Sequence, residues 1–95
     1  MISSEDVSAF DNIVSSLSQA VLAGEPPARD LVRLRSWLMF QARPCLDDDH
    51  ARLLDSAIED LYSDDVAMIR RGLAVATAAL GLSNVMVNVR FASPL

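Results

Sequence analysis

The densest group of side chains able to do chemistry is Cys45 with Asp47-Asp48-Asp49-His50, which brings the chain's single cysteine and single histidine within six positions. A thiol beside an imidazole can act as a nucleophile with its base. Carboxylates with an imidazole can also ligate a metal. Both uses need the side chains to converge on one point. Asp47 stands directly before an apolar-periodic stretch and reads as a helix N-cap, with Asp48 and Asp49 as first-turn carboxylates favoured by the helix dipole. On a helix start these groups fan out around the axis. His50 lies four residues before Leu54 and is expected half-buried at the core edge. No oxyanion motif accompanies the Cys45–His50 pair. The cap reading therefore outweighs metal or proton chemistry around Asp47–His50, and no catalytic, metal-binding or cofactor residue is assigned.

Two arrangements of basic residues could serve binding. Arg70 and Arg71 lie on the second of two helices joined near Ser63-Asp64-Asp65, a spacing compatible with a degenerate helix-turn-helix. The turn is acidic, however, and the helix continues in Ala, Val and Leu, which cannot read base edges by hydrogen bonding. A plain pair of helices is the expectation, with no nucleic-acid partner. Arg29, Arg33, Arg35 and Arg43 place half of the eight basic residues on one segment. Arg29 and Arg33 share a helical face with Phe40, a combination suited to docking an acidic protein, with Phe40 as apolar anchor. The plainer expectation, which carries more weight, is a solvated face in which Arg29 pairs with Glu25. No Gly-rich phosphate loop, paired CxxC, HExxH or Ser-His-Asp constellation is present, and three glycines leave little to build a phosphate cradle from.

The elements that would hold these groups are predicted to be helices spanning about 4–23, 27–42, 48–62 and 64–80. Helix one has Ser3 as N-cap with Asp6 at N3, and Val7, Phe10, Ile13, Val14, Leu17 and Val21 along one face. Gly24 and Pro26-Pro27 end it. Helix two starts near Pro27 and is expected to stop before Pro44. Leu31, Leu34, Leu38 and Ala42 form its main stripe, and Val32 and Met39 a second one. Helix three turns Ala51, Leu54, Ala57, Ile58 and Leu61 inward. It turns Asp48, Arg52, Asp55, Glu59 and Asp60 outward, with Asp48–Arg52 as an i,i+4 ion pair. Helix four, capped by Ser63 or Asp64, carries Val66, Ile69, Leu73, Ala76 and Leu80 on one stripe. Met68, Gly72, Val75 and Ala79 form a second, the expected oligomer interface. Helices one and three are expected to be peripheral, and two and four central. Trp37 and Tyr62 are expected at the core edge.

The last stretch, 84–92, alternates instead. Val85, Val87, Val89 and Phe91 fall on one face, and Met86, Asn88 and Arg90 on the other. No second alternating segment exists to pair with it, so it is expected to pair across a subunit boundary or with a partner strand.

With 95 residues, the chain is one domain. Its composition is 52% hydrophobic but only 5% aromatic, so the core is aliphatic and alanine-rich, with apolar side chain to spare. That surplus favours a homodimer or a bound partner. The net charge of −5 repels phosphate backbones. All basic residues are Arg, as codon bias in a GC-rich bacterial genome would produce. One cysteine allows no internal disulfide, residues 3–6 are polar and acidic where a signal peptide would be basic, and no stretch suits a membrane span, so a cytoplasmic location is expected. The fold expectation is all-α: a compact four-helix bundle-like domain with a C-terminal extended segment, oligomeric. The function expectation is a non-catalytic regulator, adaptor or chaperone acting by protein–protein interaction. The alternatives are a small DNA-binding regulator and a small metal protein or enzyme.

Overall fold

Ser3 opens the first helix as expected. Its hydroxyl accepts from the Asp6 N–H at 3.2 Å, and the Asp6 carboxylate accepts from the Ser3 N–H, closing a capping box. The computed structural model describes residues 3–63 and 65–82. It contains α1 (Ser4–Leu22), α2 (Ala28–Trp37), a π-turn (Leu38–Ala42), a 3-10 turn (Arg43–Cys45), α3 (Asp48–Asp60) and α4 (Val66–Ala79). No strand occurs among the described residues, and the predicted strand at 84–92 lies outside them.

Successive helices run antiparallel. Phe10 and Trp37 meet with ring centroids 5.7 Å apart, and Ser16 Oγ donates to Asp30 Oδ1 at 2.8 Å, fixing α1 against α2. Arg43 makes a bidentate pair with Asp55 (2.9 and 3.1 Å), and Arg35 Nη1 donates to the Leu61 carbonyl at 2.7 Å, fixing α2 and its extension against α3. Arg71 makes a bidentate pair with Asp60 (2.9 and 2.8 Å) between α3 and α4. The radius of gyration, 12.2 Å, is near the roughly 12–13 Å of a compact domain this long.

One core joins all four helices. It contains Phe10, Val14 and Leu17 of α1, Leu31 and Leu34 of α2, Leu38 of the π-turn, Leu54 and Leu61 on the α3 side, and Ile69 and Leu73 of α4. α1 and α4 both end on a glycine with φ +73°. The following N–H reaches back five residues in each case, Glu25 to the Ala20 carbonyl and Leu82 to that of Thr77, both at 2.9 Å. These are Schellman closures that only glycine enters without strain.

Helix two does not stop before Pro44. It widens into the π-turn, where the Arg43 N–H bonds the Leu38 carbonyl, and then tightens into 3-10 geometry through Pro44. Proline offers no N–H, and in an α-helix its ring would strike the carbonyl four residues back, that of Phe40; changing pitch avoids the collision. Nor is α2 central, since Val32 is exposed and only Leu31 and Leu34 of its ten residues are buried. α4 is capped by Asp65, whose carboxylate accepts from the Ala67 N–H at 2.8 Å, and not by Ser63 or Asp64. Val66 is exposed rather than inward. Arg52 pairs with Asp49 at 3.6 Å, one turn-position from the expected Asp48. Asp60 is buried rather than outward, because Arg71 compensates its charge. Tyr62 is exposed with the Arg35 guanidinium 4.1 Å over its ring, so it covers a cation instead of the core edge.

The Asp60–Arg71 pair makes stability depend on pH. The Arg71 guanidinium holds the Asp60 carboxyl below its ordinary range, chiefly by hydrogen bonding. Arg43 does the same to Asp55. A carboxyl depressed in the folded state binds its proton later than in the unfolded chain. Its stabilisation is therefore complete above the ordinary carboxyl pKa, about 4, and is lost as pH falls from there through the folded value. The melting temperature should drop on acidification from pH 7 to pH 3, and less steeply for Asp60→Asn. Parallel slopes for the two proteins would show that the pair carries no linkage.

Candidate functional site

Two surface regions gather the residues singled out by the sequence. The first lies at the start of α3. Asp47 caps the helix, accepting from the His50 N–H at 2.9 Å. Its two oxygens also lie 2.7 and 2.9 Å from His50 Nδ1. These contacts, the backbone one foremost, hold the Asp47 carboxyl below its ordinary range. An ionised carboxylate only accepts, so Nδ1 carries the proton and Asp47 orients the ring. His50 is exposed, not half-buried as expected: the bond to Asp47 turns it away from the core. Cys45 is exposed and its thiol donates to the Gln41 carbonyl at 3.5 Å. Cys45, Asp47 and His50 line one shallow depression of about 250 Å³ against the Ala79–Gly81 end of α4. The arrangement supplies an oriented imidazole beside a thiol already engaged by a backbone carbonyl. Among the described residues, no group of three or more His, Cys, Asp and Glu is placed to hold a metal.

The second region is the outer face of α2 and the π-turn. The stripe Leu31, Leu34, Leu38 and Ala42 is buried, as the spacing requires. The opposite side carries Arg29, Val32, Arg33, Met39 and Phe40, all exposed, with Phe40 at 68%, Val32 at 52% and Met39 at 38%. The π-turn keeps Leu38 and Ala42 in the core while Met39, Phe40 and Gln41 stay outside. Arg35 and Arg43 are spent on α3, through the Leu61 carbonyl and Asp55. Among the described residues, neither Arg29 nor Arg33 has an ion-pair partner, so the expected Arg29–Glu25 pair does not form. Arg29 and Arg33 instead form one wall of a polar depression of about 520 Å³, which Glu25, Pro26, Asp30 and Ser16 also line. The structural roles of Arg35, Arg43 and Tyr62 escape sequence reasoning because their partners lie 12 to 27 positions away and leave no local pattern.

The other expected site residues are dispersed. Arg71, half of the proposed DNA-reading pair, is bound to Asp60. On α4, Gly72 and Ala79 are buried within the protomer, and Met68 and Val75 are half-buried. The close helix approach expected at Gly72 is made by α3 of the same chain: a Cβ there would stand 3.0 Å from Leu61 Cγ and Cδ2 and 3.1 Å from the Ala57 carbonyl. Val85, Val87, Val89 and Phe91 lie outside the described residues. No helix among the described residues is long and apolar enough to cross a membrane. The chain matches no family model, no curated protein and no solved structure.

Proposed function

We propose that this protein acts without catalysis, by binding another protein through the outer face of α2 and the π-turn. The observation that carries the reading is Phe40. It is a phenylalanine 68% exposed in a chain that buries Phe10 completely, on the same face as Val32, Met39 and two arginines that form no ion pair among the described residues. Phenylalanine, methionine and arginine are the residue types enriched in protein interfaces relative to other surface, and large apolar side chains in water cost free energy that a partner recovers. The two alternative functions gain no comparable support, with Arg71 engaged by Asp60 and the Cys45 thiol by Gln41. Self-association through α4 has little surface to use. With Gly72 and Ala79 consumed by the protomer core, only Met68 and Val75 of that stripe retain any exposed surface to offer.

The test is the double variant Phe40→Ala with Arg33→Glu. Both side chains are exposed, so neither opens a core cavity. Wild type and variant are each used to capture proteins from the native host. The variant should lose a specific partner, with binding weakened about a thousandfold if Phe40 is a hot spot worth about 2 kcal/mol and the charge reversal adds a similar amount. Its melting temperature should stay within about a degree of wild type, as expected for surface substitutions. Equal capture by both proteins would remove this face from the function.

A further inference from the structure

We infer that the face formed by Arg29, Val32, Arg33, Met39 and Phe40 seats an acidic amphipathic helix of a partner protein. This rests on the protein-binding reading above and adds the chemistry of the occupant. Charge argues first. Residues 28–43 hold four arginines and one aspartate in a chain whose net charge is −5. Arg35 and Arg43 are turned to α3, so Arg29 and Arg33 are what this face presents to a visitor. Two carboxylates, Asp30 and Glu25, line the same depression, but neither lies within ion-pair distance of Arg29 or Arg33, so both guanidinium groups stay open to the carboxylates of a partner. Guanidinium groups suit carboxylates because their planar fork donates two parallel bonds.

Shape argues second. Arg29, Val32, Arg33, Ser36 and Phe40 recur at helical spacing from α2 into the π-turn, and all are exposed, a row of the kind into which another helix packs its own ridge. Arg33 and Phe40 are seven positions apart, about 10 Å along the axis. A partner helix with a carboxylate and an apolar residue two turns apart places one on each. A polyanion is disfavoured by the protein's overall negative charge, which acts over roughly 10 Å, whereas a helix carrying a few carboxylates meets mainly the local arginines.

The test uses the full-length protein, isotope-labelled for amide NMR, with three synthetic helical peptides of about 15 residues, the length of α2 with its π-turn. All carry the same leucine stripe, flanked by Glu, by Lys or by Gln. The Glu peptide should shift the amides of 29–41 and bind at least about tenfold more tightly than the Lys peptide, since charge complementarity at two arginines suffices for that ratio. Arg29→Glu with Arg33→Glu should reverse the order of the two. Phe40→Ala should weaken the Glu peptide about tenfold without changing the order. Equal affinity for all three peptides, shifts that map to another face, or uptake on anionic lipid vesicles in preference to the Glu peptide overturns the inference. If the Gln peptide binds this face as tightly as the Glu peptide, the acidic partner falls while the protein-binding reading stands. If no peptide shifts this face and the Phe40→Ala, Arg33→Glu variant captures the same proteins as wild type, both fall.

Discussion

Protein carrying Leu73→Asp is expected to lose its cooperative melting transition and the amide dispersion of a packed core at room temperature. Leu73 is fully buried at the centre of α4, in one cluster with Leu17, Leu34 and Leu54 of the other helices. Aspartate there removes an aliphatic side chain worth about 1.5–3 kcal/mol and buries an acidic group without a partner, at a further cost of several kcal/mol. A domain of this size has about 5–15 kcal/mol in all. The nearest precedent within the chain shows what would be needed: Asp60 tolerates burial because two bonds from Arg71 meet it. A variant that melts as the wild type does would mean that α4 is not part of the core.

Gly72→Val is expected to be nearly as damaging, for a steric reason. Its Cβ would stand 3.0 Å from Leu61 Cγ and 3.1 Å from the Ala57 carbonyl, and the branched side chain adds two carbons in the same gap. Leu61 is fully buried and the Ala57 carbonyl accepts from the Leu61 N–H, so neither neighbour retreats without disturbing α3. Overpacking of this kind costs about 1–3 kcal/mol and more where backbone must move. Gly72→Ala meets the same contacts with one carbon only, and it gains about 1 kcal/mol of helix propensity, so its loss should be much smaller. Denaturant unfolding of the two variants separates the effects: a large drop in midpoint for valine and a small change for alanine. Comparable midpoints for wild type and Gly72→Val would place α3 and α4 farther apart than described.

Much of the fold is legible because its signals are local. The 3-4 spacing of Phe10, Val14, Leu17 and of Leu54, Ala57, Ile58, Leu61 identifies the buried faces of α1 and α3 without reference to any partner. Ser3 with Asp6 and Asp47 with its helix are read from three or four residues each. What escapes depends on partners distant in sequence or on a choice among equals. Asp60 is assigned outward by charge, and only Arg71, eleven positions on, explains its burial. Ser63 and Asp65 are both capable acceptors, and the chain uses Asp65. Pro44 usually ends a helix, and the change of pitch that carries the chain past it has no sequence signature of its own. For the candidate site, the residue types on α2 are legible, and so is their common face. Their availability is not, because it depends on Arg35 and Arg43 being taken by Leu61 and Asp55 while Arg29 and Arg33 are left. The surplus of apolar side chain on α2 is visible in the sequence, but it resolves into exposed surface rather than a second buried face.

The most direct measurement on the claim that this protein works through the outer face of α2 is site-specific photo-crosslinking in the native host. A photo-reactive phenylalanine analogue replaces Phe40 in one protein and the exposed Leu53 of α3 in a control. Position 40 should give one discrete cross-linked protein, absent from position 53 and abolished by adding Arg29→Glu and Arg33→Glu. Cross-links from position 53 with none from position 40, or a product at position 40 indifferent to both arginine reversals, would contradict that claim.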